Sequence, residues 1–65
     1  MNKLELKKFK QEAWTAGEND IVTETYLIKG AQLFIDDEVL GEVTDEQRAE
    51  LIEAYRAGFM GKQLS

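Results

Sequence analysis

The sequence predicts an α+β fold in the order α-β-β-β-α: an N-terminal helix, a three-stranded antiparallel meander near residues 21–43, and a C-terminal amphipathic helix. Three observations carry that prediction. Residues 21–30, IVTETYLIKG, are dense in the β-branched and aromatic side chains that suit a pleated surface. They end on Gly30, which permits a tight hairpin into AQLFID. The flanking segments instead repeat their apolar residues at helical spacing behind capping patterns.

The first helix is expected over residues 3–15. Asn2 stands three residues before Glu5 as a capping box, and Leu6, Phe9 and Ala13 share one face with Leu4 and Trp14 at its margins. Gly17 follows as a C-terminal stop. In the meander, Val22, Glu24, Tyr26 and Ile28 alternate with Ile21, Thr23, Thr25 and Leu27, and AQLFID returns as the second strand. Asp36 and Asp37 make the next turn, because short acidic side chains bond nearby backbone amides. EVLGEV supplies a short third strand with Gly41 at a bulge.

Thr44 then caps the last helix with Gln47 completing the box, and Asp45 and Glu46 lie where the helix dipole favours negative charge. Leu51, Tyr55 and Phe59 form its stripe, flanked by Arg48 and Ile52. Gly58 and Gly61 fray or stop the end, and residues 62–65 read as a disordered tail. Both helices should cover one face of the sheet. No linker or repeat interrupts this single domain. The alternative is a mostly α protein, since Leu33, Asp37 and Leu40 also have tolerable helical spacing.

Composition narrows the chemistry. At 65 residues the core is small, so association with a partner is a reasonable source of stability. Cysteine and histidine are both absent, which removes disulfides, thiolate sites and the commonest general base. No phosphate loop or nucleophile elbow appears, so no catalytic residue, cofactor or metal site is expected. An acidic stretch from Asp36, DDEVLGEVTDEQ, imitates a calcium loop. It fails at Leu40, which offers no side-chain oxygen, and at Gln47, where a bidentate carboxylate is required. No apolar run approaches the roughly 20 residues that span a bilayer. The opening MNK reads as the start of a complete small cytoplasmic product without a secretory leader.

The net charge is −5, unevenly spread. Lys3, Lys7, Lys8 and Lys10 outweigh Glu5 at the N-terminus, whereas residues 11–55 hold twelve carboxylates against Lys29 and Arg48. Such a middle repels phosphate backbones, which disfavours direct nucleic-acid binding. Residues 43–58, VTDEQRAELIEAYRAG, resemble the first helix of helix-turn-helix modules in resolvases and transposase-related proteins. The resemblance stops before the base-reading helix of that family, so it implies a capped amphipathic helix and no more.

The function expected from these features is a small acidic, non-enzymatic protein-binding module. It would be an inhibitor or regulator of the kind found among phage and mobile-element products, including nucleic-acid mimics. In a meander, Glu18, Asp20 and Glu24 should meet Asp36, Asp37, Glu38 and Glu42 at one sheet end, forming an acidic edge for a basic protein surface. A homodimer is expected through the C-terminal helix at Tyr55, Phe59 and Met60. The competing class is a nucleic-acid-associated or transcription-regulatory accessory protein using Lys3, Lys7, Lys8 and Lys10.

Overall fold

Both capping boxes form. Glu5 N–H donates to Asn2 Oδ1 at 2.8 Å and Asn2 N–H to Glu5 Oε1 at 3.3 Å, and Thr44 and Gln47 exchange the same pair at 3.1 Å each. Four orphan amides are thereby satisfied at the two helix starts. The computed structural model describes residues 1–20, 24–39 and 42–64. These form three helices: α1 (Lys3–Glu18), α2 (Glu24–Glu38) and α3 (Asp45–Met60).

The α+β expectation is therefore wrong, and the mostly α alternative fits. Helix α2 occupies the ground assigned to the first two strands and the turn after them. Leu27, Ala31 and Ile35, spaced by four, are all buried, with Phe34 half-buried beside them. This single stripe has the period of a helix, and burying it outweighs the β propensity of the residues between. Gly30 is inside the helix and turns no hairpin. Asp36 and Asp37 are helical and make no turn. Of the third strand, Glu38 ends α2, Val39 is buried without strand pairing, and the Gly41 bulge lies outside the described residues, as do Ile21, Val22 and Thr23.

The glycines were misread for a related reason. Helix α1 continues past Gly17 to Glu18, and α3 past Gly58 to Met60. Both glycines are buried where two backbones touch. A Cβ on Gly17 would run into the Tyr55 carbonyl, and one on Gly58 into the Trp14 carbonyl. Glycine at these points removes the atom that would hold the helices apart. Gly61 does end α3, in the left-handed conformation at φ 72°, and Lys62 N–H donates to Ala57 O at 2.8 Å.

The reciprocity of these contacts exposes a repeat. Residues 12–17 read EAWTAG and residues 53–58 read EAYRAG. Ala13 and Ala54, four residues before the glycines, are buried as well. Each glycine rests on the backbone of the other motif's aromatic residue, so the two helices are related by an approximate two-fold axis. They run parallel: Gln47 Nε2 donates to Met1 O at 2.9 Å at one end, and Trp14 Nε1 to Lys62 O at 2.7 Å at the other. Leu64, in the segment read as a tail, is half-buried against the core.

Helix α2 runs antiparallel to both, starting near Tyr55 and ending near Arg48. It packs mainly on α3 and barely meets α1. Leu27, Ile35 and Leu51 are fully enclosed between the helices, each contributing about 1.5–3 kcal/mol by leaving water. Phe34 and Tyr55 pack tilted, ring centroids 6.1 Å apart. Tyr26, read above as a strand residue, is 59% exposed on the outer face of α2.

Candidate functional site

The residues expected to form one acidic edge are divided by α2. A helix rises about 1.5 Å per residue, so Glu24 and Asp37 stand roughly 20 Å apart along its axis. Glu18, exposed in the last turn of α1, and Asp20 stay with the first end. The side chain of Glu24 lies outside the described residues. At the other end, Asp36, Asp37 and Glu38 form the last turn of α2, Glu42 is exposed in the link, and Asp45 and Glu46 open α3. The structure brings this second group together and leaves the first group apart from it.

The carboxylates at these two ends have different physical roles. Asp20 is half-buried and accepts a hydrogen bond from the Tyr55 hydroxyl, tying the segment after α1 to α3. Burial, then this hydrogen bond, then the charge of Asp20 push the Tyr55 hydroxyl from 10.0 up to about 12. Trp14 does the reciprocal job for the segment after α3 through its bond to Lys62 O. Each aromatic of the repeated motif thus pins the chain just beyond the opposite helix.

Asp45 and Glu46 lie at the positive pole of α3, where carboxylates stabilise a helix. Asp36, Asp37 and Glu38 lie at the negative pole of α2, in a last turn holding no basic residue. There the macrodipole opposes them by about 0.3–1 kcal/mol apiece. Asp36 is compensated across the interface, since Arg48 Nη2 donates to its Oδ1 at 3.0 Å. Asp37 and Glu38 are exposed and form no ion pair among the described residues.

The trio expected at a self-association surface is also divided. Tyr55 is 6% exposed and spends its hydroxyl on Asp20, Phe59 is half-buried against the core, and Met60 is 48% exposed. On α1, Lys10 Nζ approaches Glu50 Oε1 at 3.9 Å, and Lys8 Nζ lies 5.8 Å from the Phe9 ring centroid. Lys3, Lys7, Lys8 and Lys10 line a groove of about 940 Å³ together with Leu4, Leu6 and Leu64. The sequence expectation placed these lysines only in the competing nucleic-acid class and named no groove beside them. The position of Leu4, away from Ala13 and among lysines, was the available signal.

Among the described residues no helix is long and apolar enough to cross a membrane, and no group of three acidic side chains is placed to hold a metal ion. Comparison with protein-family models, curated proteins and solved structures finds no match to this chain.

Proposed function

We propose that the chain is a non-enzymatic protein-binding module that docks the acidic last turn of α2 on a basic surface of a larger intracellular protein. The observation that carries this reading is the placement of Asp37 and Glu38 at the negative pole of their own helix. Folding gains nothing from carboxylates there. A cationic partner would relieve both the dipole and their mutual repulsion, and would steer association over a salt-dependent range. The role of inhibitor or regulator, nucleic-acid mimicry included, belongs to this reading. Asp20 has no part in it, because its carboxylate serves Tyr55.

The test is the double variant D37N/E38Q, measured for melting temperature and for capture of partners from lysate. The variant is expected to melt higher, by up to about 1 kcal/mol of stability per residue, and to lose the captured proteins at physiological salt. Unchanged capture at that salt would remove the acidic turn from function. An electrophoretic shift assay on duplex DNA covers the competing nucleic-acid reading; a shift persisting at physiological salt would favour the lysines of α1 instead.

A further inference from the structure

On the outward side of α1, Leu4 is 78% exposed, the most exposed large apolar side chain described. With Leu6 and the tail residue Leu64 it floors a groove lined by Lys3, Lys7, Lys8 and Lys10, against the single carboxylate of Glu5, which is engaged in the capping box with Asn2. A basic rim is unexpected on a chain of net charge −5, and an apolar floor is of little use to a phosphate backbone. The combination suits an amphipathic helix whose polar residues are carboxylates.

One such surface is on the page. Tyr26, Leu33 and Asp37 follow one another on α2 at spacings of seven and four, which places them on a single stripe. Tyr26 is 59% and Leu33 53% exposed. The stripe lies opposite Leu27, Ala31 and Ile35, which hold α2 to the bundle, so it cannot turn inward to the groove of its own chain.

We infer that the α1 groove is the docking site for the outward stripe of α2 from a second copy of this chain. Leu33 covers the floor of Leu4 and Leu64, and Asp37 on the same stripe meets Lys3, Lys7 and Lys8, with Glu38 adding to the negative charge of the turn. The inference rests on the acidic turn being a binding surface and adds a second copy of the chain to the basic surfaces that turn can meet. The contact joins two different patches, so a pair either closes reciprocally or continues to grow. Opposite charge sets the register, and the leucines supply contact that salt does not screen.

Sedimentation equilibrium of the full chain tests this at about 0.01 M and about 1 M salt, where the screening length falls from about 30 Å to about 3 Å. Wild type should exceed the 7.4 kDa monomer at low salt and move towards it at high salt. The variants K7E/K8E and D37K/E38K change only exposed positions, and circular dichroism should show both folded. Each alone should weaken self-association by roughly tenfold or more, and mixing the two should restore it, because the reversed groove then meets a reversed turn. A monomer at both salts overturns the inference. So does association that survives both reversals, or variants that fail to rescue one another. If wild type stays monomeric at both salts while D37N/E38Q still loses the lysate partners, the acidic turn retains its function and the groove alone is misassigned.

Discussion

Helices α1 and α3 meet backbone to backbone at their crossing, whereas α2 is held by side chains alone. At the α1–α3 crossing, Gly17 rests on the Tyr55 carbonyl and Gly58 on the Trp14 carbonyl, with Ala13 and Ala54 buried alongside. Nothing there can rotate aside. At the α2–α3 contact, Leu27, Phe34 and Ile35 meet Leu51 and Tyr55 in the core, and each of these can repack. Two interfaces in one small core thus differ in how much change they absorb. The difference also accounts for the exposed outward face of α2, where Tyr26 and Leu33 stay in solvent while Leu27, Ala31 and Ile35 hold the helix.

The sharpest way to break this comparison is a methyl group. In an exposed helix interior, glycine to alanine stabilises by up to about 1 kcal/mol through propensity. At Gly17→Ala and Gly58→Ala the sign should reverse, with losses of about 3 kcal/mol or more, because backbone must move to admit the Cβ. Urea titrations read this directly, and a neutral or stabilised G58A would show that the crossing has slack.

Tyr55→Phe should cost less, about 1.5 kcal/mol at neutral pH, by removing a hydrogen bond to a charged acceptor. It also carries a pH signature. The folded hydroxyl titrates near 12 against 10.0 for the free side chain, so its contribution is complete below pH 10 and disappears as pH rises towards 12. Wild-type stability should therefore fall across that window, and Y55F should lose this part of the decline. Equal slopes for both proteins would detach Tyr55 from it.

The smallest effect is expected at Gly30→Ala on α2. Its added Cβ would meet Asp20 Oδ2 at 3.0 Å and the Tyr55 hydroxyl at 3.2 Å, both side-chain ends that can shift by a few tenths of an ångström. Helix propensity offsets that adjustment, and the net change should stay within about 1 kcal/mol. For a chain this size that corresponds to a melting shift below about 8 °C. A loss at Gly30 as large as at Gly58 would erase the distinction between the two interfaces.

Sequence reasoning recovered what local chemistry decides. The boxes at Asn2–Glu5 and Thr44–Gln47 and the stop at Gly61 are written in adjacent residues, as is the α3 stripe of Leu51 and Tyr55. It failed where tertiary packing overrides local preference. Ile28, Thr25 and Tyr26 are good strand formers, yet they ride on the outside of a helix held by Leu27, Ala31 and Ile35. Gly17 and Gly58 resembled terminators because the reason for a glycine lay on another helix. The paired EAWTAG and EAYRAG motifs were the overlooked signal, since the same small residues at the same offsets point to a mutual close approach. The acidic residues at Asp36, Asp37 and Glu38 stand out in the sequence, but which carboxylates gather depended on the sheet that α2 replaces.

The parallel pairing of α1 with α3 also governs how the chain reaches this state. The dominant interface joins the two helices farthest apart in sequence, and their matching motifs are separated by the whole of α2 and both links. A loop of that length must close before the glycine crossing returns any energy. Most small helical bundles instead begin from neighbouring helices that meet early. Folding here should be slower than helix content alone suggests, with few native contacts before α1 finds α3. Trp14, the sole tryptophan, bonds to the carbonyl of Lys62, so its fluorescence reports the moment the two ends of the chain come together.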